Sequence, residues 1–193
     1  MAGVRHVFRW FMAVGVVTAG FAWAAAPAGA GTTAVSINFD GFTAPCNFDQ
    51  TVALTTQYSS QGVRFSGPGA YNGGGVLNEC GNFGVSGYSA PNFLAFNNGA
   101  HFINGGTPVG PELILFTTAT YDHVQINVAC VAGGQARLQA FDSNKQVIAT
   151  SIINLSSTLA TVSVDDPNGR ASIKAVKLMT NQSVWVADDL SAS

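Results

Sequence analysis

Charge is what this chain has least of: Asp, Glu, Lys and Arg make up 9% of its 193 residues, against roughly 25% in ordinary soluble domains. Solubility then rests on Asn, Ser, Thr, Gln and the backbone, as in exported sandwiches with long polar loops. All ten Asp and Glu lie beyond residue 30 but only six of the eight Lys and Arg do, which gives that part a formal charge of −4. A nucleic-acid partner needs a basic patch, so none is expected.

Catalytic side chains are nearly as sparse. Beyond residue 30 there are two histidines, His101 and His123, and two glutamates, Glu79 and Glu112. His123 follows Asp122 directly at a strand start, where successive side chains point to opposite faces, so the two do not form a dyad. Glu79 and Glu112 have no spacing that suggests a glycosidase pair, and Glu112, at the head of a strand after Pro111, is expected to be solvated. There is no Gly-x-Ser-x-Gly elbow, phosphate-cradling loop or His-Glu-x-x-His zinc motif. No catalytic residue is assigned.

Cysteine occurs three times, as Cys46, Cys80 and Cys130. In an oxidising compartment the simplest arithmetic is one pair and one thiol. Cys46 follows Pro45 and Cys80 sits in a polar loop, whereas Cys130 lies inside the apolar run 124–131. A Cys46–Cys80 disulfide and a buried Cys130 are therefore expected. Zinc would need closely spaced Cys or His ligands, which are missing.

The first 30 residues read as a secretory signal peptide, with Arg5, His6 and Arg9 before an apolar stretch and Ala28-Gly29-Ala30 as the cleavage site. Glycines and Pro27 break the apolar run, and a spanning helix needs about 20 apolar residues. Residues 31–193 then form one domain with no membrane partner after cleavage, of a size that buries a proper core.

No helical period appears beyond residue 30. Alternating and β-branched runs recur instead at 34–39, 51–58, 62–66, 92–96, 112–118, 124–131, 136–141, 146–153, 159–164, 173–180 and 184–187. Short strands at this spacing argue for an all-β sandwich or barrel. Asp142-Ser143-Asn144-Lys145 reads as a hairpin turn and Asp165-Asp166-Pro167-Asn168-Gly169 as a second bend, so these carboxylates are given structural work. Trp185, the only tryptophan beyond residue 30, sits between two valines and is read as core.

Residues 67–110 are crowded with glycine, and long glycine-rich excursions inside a compact domain are binding loops or decoration. Tyr71, Asn82, Tyr88 and Asn104 are the ligand-binding candidates there, since polar ligands are held by aromatic faces with a few placed amides. The same tyrosines serve equally well in sheet-edge packing, and the asparagines in left-handed turns. The two ends of the chain also match: Asn38-Phe39-Asp40 and Ala187-Asp188-Asp189-Leu190 each run from an apolar strand into acid. Paired at an edge of a sandwich, they would bring three carboxylates together.

Asn38-Phe39-Asp40, then 58–65 (YSSQGVRF), 89–96 (SAPNFLAF), 140–144 (AFDSN) and 187–190 (ADDL), in that order, resemble secreted bacterial jelly-roll proteins similar to galactose-binding-like and carbohydrate-binding-module domains of exported surface proteins. The resemblance implies a jelly-roll β-sandwich of two antiparallel sheets with eight to ten strands. It also implies a structural calcium near the paired ends, at Asp40, Asp188 and Asp189. Calcium takes six to eight oxygens, so carbonyls and water would complete the shell. The chain stops at Ser193 without an apolar sorting tail, and free secretion is the expectation.

The function expected is that of a secreted, non-catalytic binding domain for carbohydrate or a cell-surface polymer. The alternative is a structural or adhesive extracellular protein without a small ligand; a secreted hydrolase has the least support in the residues.

Overall fold

The alternating runs close into two antiparallel sheets. The computed structural model describes residues 33–193, and the expected signal peptide, residues 1–30, lies outside them. In chain order the strands are β1 (Val35–Ile37), β2 (Val63–Ser66), β3 (Gly75–Asn78), β4 (Asn92–Asn97), β5 (Glu112–Phe116) and β6 (His123–Ala129). They continue with β7 (Gln135–Phe141), β8 (Val147–Asn154), β9 (Ala160–Asp165), β10 (Ala175–Thr180) and β11 (Val184–Ala192). The first sheet runs β3-β4-β11-β6-β9 with β1 alongside β11, and the second runs β2-β5-β10-β7-β8. Eleven strands slightly exceed the eight to ten expected.

Period-two alternation drives one set of side chains between the sheets. Val63, Phe65, Ile114, Phe116, Ile126, Leu138, Val162 and Val176 meet there, all nearly or fully buried. Each such side chain contributes about 1.5–3 kcal/mol by leaving water. Trp185 belongs to this core, 3% exposed and stacked on Phe96 with ring centroids 3.6 Å apart.

Two segments depart from the sequence reading. Residues 51–58 form no strand: Leu54 N–H bonds Gly74 O and Phe65 N–H bonds Thr55 O, and then a turn follows in which Ser59 N–H reaches Thr56 O. The Gln57 side chain takes Thr55 N–H, a local bond that competes with any ladder. Conversely, Gly75–Asn78 is a strand hidden in the glycine-rich stretch. A Cβ on Gly74 would lie 2.4 Å from Leu94 Cδ1, and one on Gly75 would lie 2.7 Å from Phe102 Cε1, so close packing is what requires glycine there.

The ends of the chain do pair, with Ile37 opposite Leu190; β11 is an interior strand of the sheet, while β1 has no ladder partner but β11 among the described residues. β4 and β1 share one side of β11, along Val184–Ala187 and Leu190–Ala192, while β6 runs along the other. At the junction β11 slips register against β6 between Asp188 and Ser191, with Asp189 at φ +50°. Trp185 and Ala187 face the inter-sheet core before this bulge, and Leu190 and Ala192 face it after. One extra residue thus changes the phase of the strand, as bulges do, and keeps both carboxylates out of that core.

The outer face of the first sheet is itself covered. Leu77, Phe93, Ala95, Ala129 and Val186 point outward from it and are buried beneath Phe48 and Phe102, with Phe83 and Tyr88 packed alongside. Phe93 meets both Phe83 and Tyr88 edge to face. The glycine-rich excursion is therefore a folded lining, and the expected Cys46–Cys80 disulfide pins it. Cys130 is a free thiol, 2% exposed.

Glu112 is not solvated. It is 0% exposed on the inner face of β5, where Oε2 accepts Gly74 N–H at 2.8 Å and so ties the second sheet to the start of β3, while Oε1 has no partner.

Candidate functional site

The lining of the first sheet leaves an open cleft of about 400 Å³. The Phe48–Gln50 turn brings Phe48 and Asp49 to one side, the loop after Cys80 brings Asn82 and Phe83, and His101 comes from the loop after β4. Leu77 and Val184 form sheet floor, and Cys46 of the disulfide lies in the wall. A second hollow of about 260 Å³ shares Phe83 and Val184 with it and is otherwise apolar, with Val85, Val131 and Val186 in its wall. The pair makes a track across the sheet, polar at one end and apolar at the other.

The four ligand-binding candidates are not gathered in one place. Asn82 lines the cleft. Tyr88 packs on Phe93 in the lining. Tyr71, 59% exposed, stands apart in the 67–74 loop near Asn104, where Gly106 abuts the Tyr71 backbone and Thr107 N–H bonds Asn72 Oδ1. Phe83 and His101 lie in the glycine-rich stretch but were not among the four candidates, and Phe48 and Asp49, outside that stretch, had no role in the sequence reading. A single aromatic or acid in a loop carries no period, and the disulfide was the only signal that joined the two loops.

The acidic corner lies where β11 changes phase. Asp188 is 0% exposed; its Oδ2 accepts Ser89 N–H at 2.7 Å and Ser89 Oγ–H at 3.0 Å, and its Oδ1 accepts Asp189 N–H. Burial pushes its carboxyl up to about 7, and the charge of Asp189 adds to this against the Asp189 and Ser89 hydrogen bonds. Asp40 Oδ1 accepts Asn92 N–H and its Oδ2 accepts Asn38 Nδ2–H. The Asn38 carbonyl of the side chain in turn accepts Asp40 N–H, a local turn that seats Phe39 in the core at φ +60°.

The buried Tyr58 phenol feels the charges of Asp40 and Asp188: burial first, then these two charges, hold it well above the usual tyrosine range. Asp189 turns away to Asn127, whose Nδ2–H it accepts at 3.1 Å. Among the described residues no group of three or more His, Cys, Asp or Glu is arranged to hold a metal ion. The donor set is nonetheless all oxygen and without an ion pair among the described residues, and Tyr58 Oη and Asn92 Oδ1 are buried with no partner. That chemistry fits a hard cation held by two carboxylates and neutral oxygens.

His123 pairs across the sheet with Asp165, Nδ1 to Oδ1 at 2.7 Å, and not with Asp122. The bond to Asp165 raises the imidazole, as Gln125 and the nearby charges do, against the opposing effect of burial. Asp142 and Asp166 do the turn work read from the sequence, accepting Asn144 and Gln146 N–H and Asn168 and Ser172 N–H.

No known family model matches this chain, and no curated protein matches it. Among solved structures it is similar to the K2 cleaved adhesin domain of Lys-gingipain, with TM-score 0.50 and 12% identity over 84% of this chain and 99% of that one. It is also similar to a DUF4465 family protein from Bacteroides caccae, with TM-score 0.51 and 12% identity over 83% and 99%. These likenesses establish the β-sandwich fold. A family 11 carbohydrate-binding module from Clostridium thermocellum in complex with a mixed-linked tetrasaccharide matches with TM-score 0.35 and 10% identity over 74% and 95%.

Proposed function

We propose that this is a secreted, non-catalytic binding domain whose ligand is carbohydrate, held in the cleft on the outer face of the first sheet. The observation that supports it most is the cleft itself. Phe83 offers an apolar ring backed by the buried Phe48, Asp49, Asn82 and His101 offer hydrogen bonds, and a disulfide-pinned lining on a rigid sheet holds them in place. Such an arrangement orients a polar ligand and contains no activated nucleophile.

Affinity electrophoresis against neutral polysaccharides tests the reading. His101→Ala is expected to weaken association about tenfold, on the order of 1.4 kcal/mol, with little change in melting temperature, whereas Phe83→Ala weakens it similarly and also lowers the melting temperature, because the ring packs on Phe48 and Phe93. Binding that ignores both substitutions would place the ligand elsewhere.

An adhesive role without a small ligand is the second reading, favoured by β8, an edge strand of eight residues with no charge. Open, uncharged edges are templates for strand pairing. Concentration-dependent self-association without any glycan binding would support it.

For the acidic corner we propose a structural calcium held by Asp40 and Asp188, with neutral oxygens such as Asn92 Oδ1 completing the shell. A ligand bound only by the folded state raises stability by mass action. Calcium is therefore expected to raise the melting temperature relative to chelator, and Asp188→Asn to abolish that increment. Equal melting in calcium and chelator would remove the metal from the account.

A further inference from the structure

The second sheet keeps its outer face open, and the sorting of charge on that face is unlike the rest of the molecule. Its five strands contain one carboxylate, Glu112, which faces the core. They also contain three of the six Lys and Arg that lie beyond residue 30, namely Arg64, Arg137 and Lys177. Strand alternation places all three outward: Val63 and Phe65 flank Arg64, Ala136 and Leu138 flank Arg137, and Val176 and Leu178 flank Lys177, and every one of those neighbours belongs to the inter-sheet core. Among the described residues none of the three cations is in an ion pair.

The register fixes where they stand. Arg64 is opposite Leu115, which is opposite Ala175; Lys177, two residues further along β10, is opposite Gln139; and Arg137 is opposite Met179. The cations therefore descend one diagonal across β2, β10 and β7. With strands about 4.8 Å apart and residues about 3.4 Å along each strand, successive charges are about 8–12 Å apart. Between and beside them are Leu115 and Ile152, 36% and 50% exposed, and the Phe141 ring, over which Lys177 Nζ sits at 5.5 Å.

We infer that this face is a second binding surface, distinct from the cleft, and that it docks an acidic polysaccharide. A row of cations at intervals of this order suits carboxylates that recur along an extended chain, and the interleaved apolar side chains suit the C–H faces of sugar rings. Duplex nucleic acid fits poorly, because stable binding there draws on about six to ten phosphate contacts and this face offers three cations on a domain of net negative charge. Asp142, next to the face in the β7–β8 hairpin, is occupied by the Asn144 and Gln146 N–H groups.

Affinity electrophoresis of the secreted protein in gels containing polygalacturonate tests this. Retardation at low salt that fades as salt rises is the expected result. The combined Arg64→Gln, Arg137→Gln and Lys177→Gln variant should bind about tenfold more weakly at an unchanged melting temperature, while Phe83→Ala, in the cleft, should bind as the parent does. Three outcomes would overturn the inference: no retardation of the parent at low salt, equal retardation of the triple variant, or equally tight retention on duplex DNA. A failure of neutral-glycan binding in the cleft leaves this surface untouched, since the two are read by different variants.

Discussion

Raising the pH from about 4 to about 8 is expected to destabilise the folded protein on the order of a few kcal/mol, because one shifted pKa unit is worth about 1.4 kcal/mol. Glu112 carries most of this. Burial pushes its carboxyl up to about 8, opposed by the Gly74 and Ser66 N–H groups, so the folded state holds a proton that the unfolded chain, with an ordinary carboxyl, has already released. A raised folded pKa means that stability is complete below the unfolded value and is lost as pH climbs through the folded one. With calcium removed by chelator, Asp188, pushed up by burial to about 7, acts in the same direction.

The check is thermal unfolding across that range for the parent and for Glu112→Gln. An amide keeps an acceptor for Gly74 N–H and carries no charge into the core, so this variant is expected to match the parent near pH 4, exceed it near pH 8, and show a flatter profile. An unchanged slope in Glu112→Gln would mean that another group sets the pH dependence. His123 adds a smaller loss of the same sign above its ordinary range, since Asp165 raises it at an exposed position.

Replacing the disulfide, as Cys46→Ser with Cys80→Ser, is expected to lower stability by about 3–4 kcal/mol, the chain-entropy value for a loop of this length, the cysteines being 34 residues apart. The larger consequence is local. The bridge joins the Phe48 turn to the loop bearing Asn82 and Phe83, and these two pieces shelter Leu77 and Phe93 on the outer face of the first sheet. Without the bridge that lining should loosen before the sandwich opens, so amide exchange in residues 45–50 and 79–88 should rise while strands β6 and β7 stay protected. Loss of glycan binding at temperatures where the sandwich is still folded is the expected accompaniment. Uniform exchange across the molecule would instead show that the lining and the sandwich unfold as one unit.

Particular residues show how far the sequence could be read. Runs such as Val124–Val131 and Ala136–Phe141 announced strands because alternation is a local property, and the Asp142–Lys145 turn was legible for the same reason. Residues 51–58 misled because Thr and Val favour strands wherever they stand, whereas a ladder needs a neighbour, and that stretch finds only scattered bonds to Gly74 and to β2. Gly75–Asn78 was missed from the opposite side: its glycines look like loop until Leu94 and Phe102 press against them. The ends of the chain do pair, yet of the three carboxylates only Asp40 and Asp188 bear on the buried Tyr58, since a one-residue bulge sends Asp189 to Asn127.

By itself the sequence determined the all-β class and the sparse chemistry, because composition and period need no knowledge of neighbours; it pointed to Cys46–Cys80 and to a match of the two ends, and the fold made both pairings. Tertiary structure alone decided the burial of Glu112, the folding of the glycine-rich stretch over a sheet face, the separation of Tyr71 and Asn104 from Asn82, and the gathering of Arg64, Arg137 and Lys177 on a face free of carboxylates. All four depend on which strands lie side by side, and β2, β5, β10 and β7 are neighbours in space at sequence separations that no local pattern encodes.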